Sequence, residues 1–258
     1  MLLLFFKTRY KEYMHMVIRE PPMLVSQVIF DVGERVYPDK ARAMVAGMLD
    51  GVQPGLVASL MNYIPGTSTS RTEFPIVQFS GASSGFSLLG FGSTGAVILE
   101  DVAPLIHKAL SRETPGRVIH AERRTHTLSA ERRPYAMRYT IPRMVVQKKV
   151  RHANRLKSLD EGKAHLESLF LRSLQRQAAA VGFELPNDLK VAFMGATGDF
   201  AAKQDPKSPV AHRGLRNAIF DINLRLGGMW SVGYMLSKGY GHFNATHQLS
   251  ESSSALSK

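Results

Sequence analysis

Twice along this chain the apolar residues pass from alternating runs to helical spacing and back in the same order, and few folds accommodate that order. In the first half, LVSQVIF (24–30) is a short, branched apolar run of the kind that forms a buried strand. PDKARAMVAGMLD follows as a helix, with Pro38 in its first turn, where a missing amide costs nothing, and Gly51 just past its end. FPIVQFS and GFSLLGFG pair as strands about the turn SGASS. GAVILE is a further strand-like piece, and DVAPLIHKALS is a helix capped by Asp101. RVIHAERRTHTL closes this half as a strand. The order strand, helix, two strands, helix, strand is that of a ferredoxin-like module.

The second half reads the same way. YAMRYTIPRMVVQ is strand-like, with Pro142 marking an edge or a bend because it cannot donate to a ladder. In GKAHLESLFLRSLQRQAAAVG, Leu166, Leu169, Phe170, Leu174, Ala178 and Val181 fall on one helical stripe that Gly182 ends. LKVAFMG and LRNAIFDINLRL are strands, GMWSVGYML a short helix and GHFNATHQL a last strand. The expected fold is α+β: tandem ferredoxin-like modules, RRM-like in topology, at 23–130 and 131–250, with an added basic helical segment. Residues 251–258 form a polar, frayed tail. Pro21-Pro22 sets residues 1–22 apart as an extension, expected to be disordered, with Met23 as an alternative start. Its apolar stretch covers only residues 1–6, with no basic residues before it and no small-residue cleavage site, so it is a poor signal peptide.

Charge narrows the function. Thirty-three Lys and Arg against 21 Asp and Glu leave +12, with a pI near 10.0, a balance that attracts polyanions, nucleic acid or an anionic membrane. No apolar run approaches the roughly 20 residues of a spanning helix. The basic residues also lie across several segments rather than on one amphipathic helix with aromatic anchors, which speaks against a membrane surface. Cysteine is absent, removing disulfides and cysteine-based zinc sites and fitting a cytoplasmic setting. Nine histidines without HExxH-type spacing make no metal site, and no GxxxxGKS/T stretch supports nucleotide hydrolysis, so no cofactor is expected. GATGDF reads as a turn.

Three basic stretches are candidate binding surfaces. QKKVRHANRLK places Lys148, Arg151, His152 and Arg155 at helical spacing on one face, with Lys149 beside them, an arrangement suited to the shape and phosphates of a hairpin groove. AERRTHTLSAERRPY carries Arg123, Arg124, Arg132 and Arg133, and HRGLR sets Arg213 and Arg216 beside a glycine, a pattern suited to phosphate contact. PGTSTSRTEF, with Arg71, reads as a polar linker.

The densest local signal is SVGYMLSKGYGHF. Gly233 and Gly239-Tyr240-Gly241 bracket five residues ending in Lys238. Such a loop either makes a tight connection between packed elements or brings bare backbone amides to a phosphate, with Lys238 as a point charge and Tyr240 or His242 stacking on a base.

A hydrophobic residue and Gly, five residues, then Gly-Tyr-Gly resembles the C-terminal glycine-rich loop of the RAMP superfamily of CRISPR proteins, and their repeat-RNA endoribonucleases in particular. The chain departs from that pattern at Ser231, where the first glycine would stand. GVQPGLVASLMNYIPGTSTSRTEF, GKAHLESLFLRSLQRQAAAVGF and LGGMWSVGYMLSKGYGHFNATHQL are similar to the crRNA-processing subunits of type IV CRISPR systems, and the likeness runs from about Met23 to Leu256. The resemblance implies tandem ferredoxin-like modules and metal-independent cleavage of CRISPR repeat RNA at the base of its hairpin. The 2′-OH attacks its own phosphate and leaves a cyclic phosphate and a 5′-hydroxyl. It implies too that the protein keeps the crRNA as the 3′-hairpin subunit of a complex with a backbone subunit, meeting target DNA only through that complex and no membrane.

Many relatives carry a catalytic histidine in the first helix. Here 38–50 holds none, and Lys40 and Arg42 stand there instead. Arginine keeps its proton, so cleavage is expected to rest on orienting the 2′-OH and neutralising the oxyanion, and to be slow. Arg35 and Arg42, flanking the first strand–helix junction, and Lys238, which they face from the glycine loop, are the expected catalytic residues, with His212 and His242 in reserve. The same missing histidine supports the alternative, a RAMP-fold subunit that caps the hairpin without cutting it. An RNA-binding protein unrelated to CRISPR is a third reading, against which the long similar stretches stand.

Overall fold

The structure, a computed structural model, describes residues 24–49, 54–63, 71, 73–113, 118–146, 159–203, 211–245 and 250–251. The N-terminal extension and Gly51 lie outside these residues.

The first half comprises β1 (Leu24–Asp31), α1 (Pro38–Met48), α2 (Pro54–Leu60), β2 (Val77–Gly81), β3 (Gly85–Phe91), α3 (Gly92–Glu113) and β4 (His120–Thr127). The strands form an antiparallel sheet in the order β2-β3-β1-β4, the ferredoxin-like order. Alternation along β1 and β3 turns Val28, Phe30, Phe86 and Leu88 to the helices, and Phe30 and Phe86 stack at 5.1 Å.

GAVILE, expected as a strand, lies inside α3. A six-residue apolar run does not declare its period, and Leu99, Val102, Ile106 and Leu110 extend it as a helical stripe. The closeness of that helix to its sheet explains two glycines. A side chain on Gly95 would press on the Gly90 backbone and the Ile76 carbonyl, at 2.7 and 2.8 Å.

The second half comprises β5 (Ser129–Val145), α4 (Leu159–Ala180), β6 (Val191–Gly195), β7 (Gly198–Lys203), β8 (Ala211–Gly227), β9 (Met229–Ser231), β10 (His242–Asn244) and β11 (Ser250–Glu251). Its sheet runs β11-β5-β8-β6, with β7 also on β8, so the first and third major strands are again central. The stripe of α4 (Leu166, Leu169, Phe170, Leu174, Ala178) is buried on that sheet, Phe170 stacking on Phe220 at 4.4 Å.

Three expectations are corrected here. GATGDF is not only a turn, because Gly198 starts β7. GMWSVGYML is not a helix: Met229–Ser231 is a strand paired antiparallel with His242–Asn244, and Gly233, at φ 96°, follows it. The module's second helix is replaced by the β9–β10 ribbon and a 3₁₀ turn at Leu236–Lys238. GHFNATHQL, of which 241–245 are described, places β10 on β9 rather than on the large sheet, whose edge is taken by Ser250 and Glu251 against Arg138 and Met137.

Pro142 does not end its strand, but it displaces it. Before it, Met137, Tyr139 and Ile141 enter the core under α4; after it, Met144 and Val146 do. On β8 the inward set shifts likewise between Leu215 and Ala218, around Asn217 at φ 46°. Past this kink, Arg143 and Arg216 stand directly opposite each other. Among the described residues no helix is long and apolar enough to cross a membrane.

Candidate active site

The glycines of SVGYMLSKGYGHF are explained by the protein itself. Gly239, at φ 81°, lies so close to Pro38 of α1 that a side chain would overlap the proline ring. Gly241, at φ 76°, lies equally close to the Val232 carbonyl. The Gly233 amide donates to Ser173 Oγ at 3.0 Å, Gly239 to the Leu236 carbonyl at 2.9 Å and Gly241 to the Arg143 carbonyl at 2.6 Å. These three N–H groups are committed to the fold, so the expected phosphate cradle of bare amides is not available at Gly233, Gly239 or Gly241. The loop instead wedges its 3₁₀ turn against β2 and α1 and carries Lys238 to the junction between the modules.

A buried polar network holds that junction. Gln78 Oε1 of β2 accepts from Ser231 Oγ at 2.9 Å and from His242 Nε2, while Gln177 of α4 bonds the Ser231 amide and the Met229 carbonyl. Burial pushes the His242 imidazole down to about 4, opposed by the Leu236 backbone, so the ring is neutral. It is part of the packing between modules and is not offered to a base.

At the same junction lies a cavity of about 290 Å³. Arg42 and Lys238 both line it, together with Arg71, Arg176, His212 and Gly233, and Glu73 is its one carboxylate among the described residues. Arg42 sits on the buried face of α1 and is 8% exposed. Its Nη2 donates to the Met61 carbonyl at 2.7 Å and its guanidinium lies over the Tyr63 ring at 5.2 Å. Its Nε is buried with no acceptor. Arg71 donates from Nε to the Tyr63 carbonyl at 3.1 Å, which turns it inward. Arg35 lies outside the cavity lining, exposed, with its guanidinium 5.4 Å from the Tyr37 ring.

Tyr240 is buried and stacks on Phe200 at 5.7 Å, so its face is spent on the fold and the expected base stacking is closed to it. Arg143 covers both rings, 4.8 Å from Phe200 and 5.1 Å from Tyr240, and Arg216 lies 5.7 Å from Phe200. The glycine of HRGLR, Gly214, makes room for the Phe200 ring rather than for a phosphate. Arg213 is engaged by Asp199 at 2.7 Å.

Lys148, Lys149, Arg151, His152 and Arg155 fall outside the described residues. Sequence reasoning missed Arg71, Arg143 and Arg176. Arg71 was read as part of a linker, and Arg176 stands on a helix read only for its apolar stripe. Arg143 could have been found from its place next to Pro142.

A family model for the type IV CRISPR-associated endonuclease Csf5 matches residues 25–248. Among solved structures, the chain is similar to one described as Csf5, CRISPR-Cas type IV Cas6 crRNA endonuclease. The two are 20% identical with a TM-score of 0.63, over 86% of this chain and 98% of that one. It is also similar to a structure of Cas6b, 14% identical, TM-score 0.62, over 86% and 99% of the two chains. A second Cas6b, described as a CRISPR RNA processing endoribonuclease, is 13% identical with a TM-score of 0.55, over 85% and 97%. No curated protein matches the chain significantly. The structural likenesses carry the tandem-module fold.

Proposed function

This chain belongs to the family of type IV CRISPR-associated endonucleases, and on that premise we propose that it binds CRISPR repeat RNA and cuts it in the cavity where Arg42 and Lys238 meet. The observation that carries the reading is Arg42. A guanidinium buried without a carboxylate is costly, and one with an Nε lacking an acceptor is incompletely satisfied. A phosphate seated in the cavity supplies both the charge and the acceptor.

In the proposed reaction the 2′-oxygen attacks the adjacent phosphorus. The O2′–P bond forms, the P–O5′ bond breaks, the 2′-proton leaves and a proton reaches the departing 5′-oxygen. Arg42 and Lys238 neutralise the charge that grows on the non-bridging oxygens, the work a metal would otherwise do. Neither Arg42 nor Arg71 can exchange the protons; His212, the imidazole lining the cavity, is the group placed to do so. Arg35 contacts RNA outside the cavity, and the basic segment around Lys148–Arg155 contacts the hairpin. The product hairpin stays bound, making the chain the 3′-end subunit of a type IV complex with its backbone subunit.

The second reading, a hairpin cap that does not cut, is favoured by the absence of a histidine from 38–50, the first-helix segment. Incubation with repeat-hairpin RNA in EDTA, with the product ends mapped, separates the two. A 2′,3′-cyclic phosphate and a 5′-hydroxyl support cleavage. Tight binding with no product supports the cap, and no binding removes both.

A further inference from the structure

Arg143 and Arg216 are an unusual pair. They occupy directly opposed positions on β5 and β8, where like charges repel, and neither has a carboxylate partner among the described residues. Several separate features place them there. Pro142 and the left-handed Asn217 shift the inward set by one residue, turning both arginines away from α4. Gly214, bare of a side chain, seats Phe200, and Tyr240 stacks on that ring, so both guanidiniums lie against an aromatic floor. The floor itself is buried and offers no open ring face to a base.

We propose that Arg143 and Arg216 form a clamp for one phosphate of the single-stranded RNA that flanks the hairpin, a few nucleotides from the scissile phosphate. The inference rests on the reading of the cavity as the cleavage site. Opposed residues on neighbouring strands have Cα atoms only ~5 Å apart, so both guanidiniums reach one phosphodiester and cannot straddle the two strands of a duplex. The clamp continues the cavity along two routes. His212 of the cavity and Arg216 are four residues apart on β8, about 13 Å. Tyr240 beneath the clamp follows Lys238 by two residues. An RNA chain leaving the cavity over β8 meets the clamp within a few nucleotides. With the aromatic floor closed, the contact reads phosphate and ignores base identity.

The test uses three RNAs made uncleavable by a 2′-deoxy sugar at the cut nucleotide: the bare hairpin, the hairpin with a 5′ single-stranded flank and the hairpin with a 3′ flank. One flank should tighten binding to the native protein. Arg143→Gln/Arg216→Gln should lose that gain, about tenfold in Kd, with a smaller loss on the bare hairpin. The salt slope for the flanked RNA should fall by about 0.7, the value for one single-strand phosphate no longer neutralised. Equal losses on bare and flanked RNA, or no loss on any, overturn the clamp while leaving the cleavage reading intact. Failure of the native protein to bind any of the three overturns the cleavage reading itself. Folding is controlled by Arg216→Gln alone, which relieves the repulsion. It should melt no lower than the native protein and still lose about threefold on the flanked RNA.

Discussion

The arginines of this protein fall into two populations that the count of +12 adds together. On β4 and the start of β5, Arg123 pairs with Glu100, Arg124 with Glu122, Arg132 with Asp188 and Arg133 with Glu131. At the cavity and beside it, Arg42, Arg71, Arg176, Arg143 and Arg216 have no carboxylate partner among the described residues. The first group presents neutral pairs to solvent; the second leaves its field open to a polyanion. The AERR strip, expected as a binding surface, is thus largely self-neutralised. Its two glutamates stand two residues before Arg124 and Arg133, and on a strand residues i and i+2 share a face. That much was legible in the sequence, had the carboxylates been weighed with the arginines.

If the distinction holds, substitutions in the two groups differ by orders of magnitude. Arg42→Ala should slow single-turnover cleavage of repeat RNA by about 100-fold, the scale of one lost oxyanion partner, and weaken binding far less. Lys238→Ala should do the same more mildly, and Arg124→Ala should stay within about twofold of native. Equal losses of binding and cleavage for Arg42→Ala and Lys238→Ala would make these residues RNA holders only. A melting curve on each variant separates lost chemistry from lost packing, since Arg42 also ties α1 to the Met61 carbonyl.

Beside the cavity, the Gln78, Gln177, Ser231 and His242 network is polar but uncharged, and there the stake is stability. His242 is buried with its folded-state value depressed to about 4. Its contribution is therefore fully present above the unfolded value near 6.5 and is lost as pH falls from there toward 4. The loss amounts to roughly 3 kcal/mol. Denaturant unfolding at pH 7, 5.5 and 4.5 measures it, and His242→Gln should flatten the profile. A native profile already flat over this range would mean that the ring is hydrated.

Gly239→Ala tests the same junction from the loop side. A side chain at φ 81°, overlapping Pro38, costs roughly 1–3 kcal/mol and should pull Lys238 back from the cavity. A lower melting temperature with about tenfold slower cleavage is expected. The identical substitution at Gly182, also at positive φ but with open space around it, should cost stability alone.

What could be read from the chain follows the range of the forces involved. The ferredoxin-like order was visible because strand and helix periods are local. GAVILE misled because six apolar residues fit either period, and only the later stripe of Leu99, Val102 and Ile106 decides between them. The β9–β10 ribbon is not legible because its strands are three residues each, too short to show a period. For the site, Lys238 stands out from the glycine-rich stretch itself, and Arg42 only through the resemblance. Arg71 and Arg176 join them only once α2, α4 and the glycine loop pack together, a matter of tertiary contact that no spacing records. The glycines signal close approach, and of the two neighbours the sequence leaves open, packed elements or a phosphate, Gly239 and Gly241 meet the first.

The smallest effect sharpens the comparison most. Glu122→Gln/Glu131→Gln would leave Arg124 and Arg133 without their hydrogen-bonded carboxylates and turn the outer strip into a second open population. Arg124 already holds the Glu122 carboxyl below its ordinary range, so this pair is ionised near neutrality and loss of Glu122 unmasks Arg124. Both sites are exposed, so stability should barely change. Affinity for an unrelated RNA should rise about threefold at low salt and return to native at high salt, because exposed charges are screened. Specific cleavage of repeat RNA should not accelerate, since the added field lies on β4 and β5, away from the cavity that orients the reacting groups. An increase in the cleavage rate would mean that the strip and the cavity act on one bound RNA, and the two populations would merge into one.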